Sequence, residues 1–159
     1  MGATVPMSVV LPPNYDRDGD SLPLLINLHG GGGDRTYLTE MLPLWRALWD
    51  AGDLPLLVMV SFSSGGGSWY HGAWESFVID ELPKWANAKF GTSLEPSQTV
   101  MTGISMGGYG SLKIAFKHPH RFRAIAPMEP AIEPSLQRLP IWCSRQNYRR
   151  CRPSTCSTH

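Results

Sequence analysis

Cysteine is absent from the first 142 of the 159 residues, and all three, Cys143, Cys151 and Cys156, crowd into the last stretch. Their spacing fits no zinc pattern, and an odd count leaves a thiol over from any disulfide framework, so neither a metal nor a disulfide scaffold is expected. Charge of either sign is also lacking: 14 basic and 13 acidic residues give a formal net charge of +1. That balance supplies no basic face for a nucleic-acid partner. No apolar run approaches the roughly 20 residues of a membrane span. The amino terminus, MGATVPMSVVLPPNY, has no basic region followed by an apolar one, so no secretory signal is read and a cytoplasmic location is favoured. What remains is an ordinary globular composition, 42% hydrophobic, in a chain long enough to bury about two-thirds of its unfolded surface.

Strand-like and helix-like segments alternate. Residues 8–11 form a short β-type run closed by Pro12 and Pro13. Residues 22–28 (LPLLINL) and 54–61 (LPLLVMVS) are continuous apolar runs, the pattern of strands buried on both faces. Two further strands are read at 99–104 and 123–128. Helices are read at 43–51, with Pro43 at the first turn and Gly52 past the end, at 74–90 and at 106–117. Pro83 is expected to kink the second of these. Trp45, Leu48, Phe77, Leu82, Leu112 and Phe116 are expected to face the sheet. The alternation argues for an α/β fold, a mostly parallel sheet with helices on both faces.

Two motifs carry chemistry. Gly103-Ile104-Ser105-Met106-Gly107 is a G-x-S-x-G between a predicted strand and a predicted helix. The chain turns so tightly there that bulky flanking residues clash, and the serine hydroxyl is presented at the carboxyl edge of the sheet. Ser105 is therefore the candidate nucleophile. A developing oxyanion needs two preorganised N–H groups. Met106 offers one, and the glycines after His29 (HGGGG) offer the other, with Gly31 and Gly32 as candidates. The glycine run lacks the lysine of a P-loop and the spacing of a dinucleotide fingerprint, so no nucleotide cofactor is expected. In the loop SSGGGSWYHGAW, Trp69, Tyr70 and Trp74, together with His29, are candidate substrate-pocket residues.

The segments VVLPPNYDRDGDSLPLLINLHGGGGD, WESFVIDELPKW and TVMTGISMGGYGSLKIAFKHPHRF resemble the esterase family of α/β-hydrolases. That family includes S-formylglutathione hydrolases (esterase D), feruloyl and acetylxylan esterases, and mycolyltransferases. The resemblance covers residues 9–136. It implies a partial α/β-hydrolase fold, its second to sixth strands, and a serine carboxylic-ester hydrolase acting on a small-molecule ester without cofactor. An acyltransferase of the same fold and a non-catalytic ester-binding remnant are the alternatives.

Such a nucleophile needs an acid and then a histidine base later in the chain, and family members supply both after strands that are not legible here. His118 and His120 stand some 18 Å along the helix from Ser105, and neither His29 nor His71 matches a triad position. Glu129 is the one acid well placed at a strand end. Residues 1–137 read as the hydrolase core. Residues 138–159, rich in Arg, Ser, Pro and Cys, read as an irregular tail of out-of-frame character. Ester hydrolysis far below that of a complete family member is expected, with self-association through the open sheet edge at Ala124–Met128.

Overall fold

The computed structural model describes residues 4–132; the expectations for 138–159, the three cysteines and His159 lie outside the described residues. Five strands form one sheet in the order β1-β3-β2-β4-β5: β1 (Met7–Val10), β2 (Leu24–Leu28), β3 (Val58–Phe62), β4 (Thr99–Ile104) and β5 (Ala124–Met128). Only β1 runs antiparallel, against β3, and the four others pair in parallel. Every residue of β2 and β3 is buried, as their unbroken apolar runs require. Successive side chains on a strand point to opposite faces, so each of these strands feeds two cores.

One core joins Leu24, Ile26, Leu28, Val58, Val60, Phe62 and Met101 to Tyr70, Phe77, Leu82, Met106 and Ile114. Its cover is α3 (Ala73–Ser76), a π turn (Phe77–Glu81), α4 (Leu82–Phe90) and α5 (Met106–Lys117). The other core joins Val10, Leu25 and Met59 to Leu38 and Trp49, beneath α1 (Thr36–Glu40) and α2 (Leu42–Ala51). Helices thus lie on both faces. Gly52, in the left-handed region at φ 75°, closes α2 by donating to Leu48 O and Trp49 O, a termination that favours glycine. The β4 and α5 bounds coincide with those read from the sequence; α1 was not read there.

Three helical details correct the expectations. Phe77 and Leu82 are buried, whereas Trp45, Leu48 and Leu112 are half-buried and Phe116 is 79% exposed. The buried residues of α5 are Met106, Gly107, Gly108, Gly110, Ser111 and Ile114. Phe116, two residues past Ile114, falls on the far side of the helix. On α2 the buried residue is Trp49, whose indole N–H donates to Pro55 O at 3.1 Å. Finally, the Pro83 irregularity takes the form of the preceding π turn, closed by Leu82 N–H donating to Phe77 O. Pro83 has no N–H to offer Ile79 O four residues back, and the Arg121 guanidinium donates to that carbonyl instead.

Among the described residues β5 is an edge strand, and Ala124, Ala126 and Met128 on one side of it are exposed. No helix among the described residues covers that side.

Candidate functional site

The carboxyl ends of β2, β3 and β4 bring three loops together. At the end of β4 the chain reverses into α5 through Ser105, whose φ of 53° and ψ of −111° lie far from ordinary L-residue conformations. Such a residue costs on the order of 1–3 kcal/mol and persists only where its surroundings over-determine it. Here Ser105 N–H donates to Met128 O at 3.0 Å, while Ser105 O accepts from Tyr109 N–H at 2.9 Å and Ala131 N–H at 3.0 Å. The glycines on either side admit the turn. A Cβ on Gly103 would lie 2.5 Å from the Gly107 backbone, and one on Gly107 would lie 2.1 Å from Leu28 O. Ser105 is exposed, and its Oγ forms no hydrogen bond among the described residues. Met106 opens the 12-residue α5, so its N–H has no intrahelical acceptor.

The glycine loop after β2 lies beside this turn: a Cβ on Gly30 would stand 3.4 Å from Ile104 O and 3.7 Å from Ser105 Cβ. Gly33 N–H closes a tight turn onto Gly30 O at 3.1 Å. Gly32 N–H, a candidate oxyanion donor, is engaged by Gly66 O at 3.3 Å. Gly31 is exposed, and its N–H has no acceptor among the described residues.

His29, read from the sequence as a pocket residue, is fully buried. Ser64 N–H donates to its Nε2 at 3.1 Å, and its Nδ1 lies 2.8 Å from Gly30 O. The first contact makes Nε2 an acceptor, so the proton sits on Nδ1 and the ring is neutral. Burial holds its pKa below the ordinary value, outweighing the Gly30 hydrogen bond and the Asp34 charge. Tyr70 is likewise fully buried, its hydroxyl donating to His29 O at 2.9 Å, and burial raises its pKa. Both residues are pillars beneath the loops, placed there because each carries a polar tip that a backbone group satisfies. Trp74 is half-buried and stacks on Phe62 at 5.5 Å, packed against the core; it belongs to the helix–sheet interface.

Trp69, also read as a pocket residue, is half-buried. Its ring meets Tyr109 edge to face at 5.5 Å, and Tyr109 is one helical turn beyond Ser105. Trp69 and Tyr70 are consecutive non-glycine residues at positive φ, 49° and 53°.

Sequence reasoning missed a cluster below this turn. Glu75, whose side chain is 14% exposed, pairs with Lys113 at 3.2 Å, Lys117 at 3.1 Å and His118 at 3.1 Å. Burial alone raises the Glu75 pKa, but the hydrogen bonds from His118, Lys117 and Lys113 prevail and bring it down to about 2. Lys113 and Lys117 stand four apart on α5, the one signal available in the sequence. His71 Nδ1 lies 3.2 Å from Lys113 Nζ, and burial and then the Lys113 charge lower its pKa. Glu129, at φ 41° just beyond β5, is exposed and has no side-chain partner among the described residues. Among the described residues, no three His, Cys, Asp or Glu side chains are grouped to hold a metal ion, and no helix is long and apolar enough to cross a membrane.

The family profile described as Putative esterase matches residues 1–155. Esterase Rv1288 of Mycobacterium tuberculosis is 34% identical over 125 residues, which is 73% of this chain and 27% of that protein. The S-formylglutathione hydrolase of Rattus norvegicus is 38% identical over 61 residues, 38% of this chain and 21% of that one. Among solved structures, an S-formylglutathione hydrolase from Agrobacterium tumefaciens superposes with a TM-score of 0.67 at 23% identity, covering 82% of this chain and 54% of the other. The chain therefore spans about a quarter of its curated relatives and half of the structural neighbour, whose sheet and helices it shares. With the strand–serine–helix turn, the adjoining glycine loop and a profile match over nearly all its length, the chain belongs to the esterase family.

Proposed function

We propose that this chain carries the acyl-accepting half of a serine carboxylic-ester hydrolase, with Ser105 as nucleophile. The observation that carries the reading is the Ser105 turn itself. A serine at φ 53° is exposed at the head of α5, beside a glycine loop whose Gly31 N–H is free among the described residues. In this reading Ser105 Oγ attacks the ester carbonyl carbon, and its proton passes to a base. The carbonyl oxygen becomes an anion held by Met106 N–H and Gly31 N–H, aided by the positive end of α5. Gly32 is set aside because Gly66 O already takes its N–H. Collapse of the adduct breaks the bond to the alcohol oxygen, which leaves with a proton, and water then releases the acyl group from Ser105 as a carboxylic acid.

No base is assigned among the described residues. His29 is neutral and occupied by Ser64, His118 is paired with Glu75, and His71 accepts from Lys113. The open side of β5 is assigned to self-association in the 159-residue chain, since an uncovered edge strand offers its backbone and apolar face to another copy.

Labelling with a fluorophosphonate probe tests the nucleophile. The expected result is slow, stoichiometric modification that maps to Ser105 and disappears in Ser105→Ala. Modification of another residue, or labelling untouched by that substitution, contradicts the proposal.

A further inference from the structure

α5 presents Tyr109 and Lys113 in line with Ser105, one and two helical turns along. The Lys113 side chain is only 11% exposed. An ammonium has three N–H donors and no acceptor, and this one finds three partners: Tyr70 O, His71 Nδ1 at 3.2 Å and Glu75 Oε2 at 3.2 Å. Two of them sit at the end of the turn in which Trp69 and Tyr70 both adopt positive φ. Two adjacent side-chain-bearing residues rarely hold that conformation unaided. The Trp69 indole N–H is buried and has no partner of its own among the described residues, so no polar contact of the ring orients it. Its direction comes from the backbone of the turn, from packing against the core, and from the edge-to-face contact with Tyr109 at 5.5 Å. Beneath it, the Tyr70 ring fills the space that a Cβ on Gly110 would need, 2.5 Å away, which fixes the other side of the turn to α5.

We propose that Lys113 is a positioning residue: by holding the Tyr70 carbonyl and His71 it sets Trp69 as a wall beside Ser105 that limits the size of the acyl group. The inference rests on the reading of Ser105 as nucleophile. The alcohol shares the carbon bonded to Ser105 Oγ only until the adduct collapses, whereas the acyl substituent stays there until hydrolysis, so a wall packed on Tyr109, one turn along α5, bears on the acyl substituent through both steps. Release of the turn lets the indole swing away and admits longer chains.

The test compares acylation rates of the 159-residue protein with p-nitrophenyl acetate and p-nitrophenyl hexanoate, alongside the near-ultraviolet circular dichroism of Trp69. The Trp69 band is identified by its loss in Trp69→Phe. Lys113→Met keeps the aliphatic stem and removes the donors. It is expected to raise the hexanoate-to-acetate ratio about ten-fold, the scale of discrimination a pocket wall supplies, and to erase the Trp69 band. Lys113→Arg, which keeps charge and donors, is expected to restore both in large part. Trp69→Leu removes the wall without touching the lock and should raise the same ratio, so a poorly folding Lys113→Met does not decide the matter. An unchanged ratio in Trp69→Leu, or an unchanged ratio and band in Lys113→Met, overturns the proposal. Absence of any acylation of the unsubstituted chain overturns the nucleophile reading and the acyl wall with it, while the Trp69 band still reports whether Lys113 holds the turn.

Discussion

Replacing Gly107 by alanine probes the tightest of the described glycine positions. A Cβ there would stand 2.1 Å from Leu28 O, 2.6 Å from Leu28 C and 2.8 Å from His29 O. All three are backbone atoms at the end of β2, which is flanked by β3 and β4, so none can swing aside as a side-chain tip would. To reach an ordinary contact of about 3.5 Å, α5 must withdraw from the sheet by more than about 1 Å at its first turn. Met106 and Ile114, at 1% and 0% exposure, then lose part of their packing, and the Ser105 turn loses its fit. Overpacking a close-packed interface costs typically about 1–3 kcal/mol, and a rigid backbone obstacle places Gly107→Ala at about 3 kcal/mol. Urea unfolding followed by circular dichroism measures this as a lower midpoint with an unchanged slope. Gly31→Ala is the control, since its nearest atom is 3.7 Å away, and a shift within about 0.5 kcal/mol is expected. Equal midpoints for Gly107→Ala and the unsubstituted chain would refute the described seating of α5 on β2.

The Glu75 carboxyl, lowered to about 2 from 4.5, contributes stability that is full above pH 4.5 and is lost as pH falls toward 2. A pH series of thermal melts should show that loss, on the order of 2 kcal/mol, and Glu75→Gln should remove this component of it. For His29, whose folded pKa is depressed by burial, stability is complete above its ordinary value of 6.5 and declines as pH falls below it. His29→Phe leaves Ser64 N–H without its acceptor and is expected to cost about 1–3 kcal/mol in urea unfolding. Sedimentation velocity should show concentration-dependent dimers. Met128→Lys, at a residue 38% exposed on the open face, should shift them toward monomer; identical profiles would remove β5 from the interface.

The placement of Ser105 was legible because three local signals agree: a β-branched and apolar run over Thr99–Ile104, a helical run over Met106–Lys117, and glycines where the turn leaves no room for a Cβ. The parallel sheet was legible for the same reason, since β2 and β3 read as continuous apolar strands and are buried throughout. What was lost concerns contacts between segments distant in the chain. His29 and Tyr70 looked like pocket residues by type, yet each turns inward to a backbone partner 35 or 41 residues away. Phe116 looked like core by hydrophobicity, but the α5 stripe is set by small residues, Gly107, Gly110 and Ser111, that let the helix approach β2 and Tyr70. The Glu75–Lys113 pair spans helices that no local pattern links.

The central claim is that Ser105 accepts the acyl group. p-Nitrophenyl acetate isolates that step, because its leaving group departs without help from an acid. Attack on it leaves an acetyl group on Ser105 that only an activated water removes. Without a positioned base, turnover is expected to be limited to the roughly 10³–10⁴-fold acceleration over water that binding and the oxyanion site supply. Peptide mass spectrometry after brief exposure of the 159-residue chain should find the acetyl group on Ser105 and nowhere else, with none in Ser105→Ala. An acetyl group carried mainly by another residue, or p-nitrophenolate released at an equal rate by Ser105→Ala with no Ser105 adduct in the unsubstituted chain, would contradict the account.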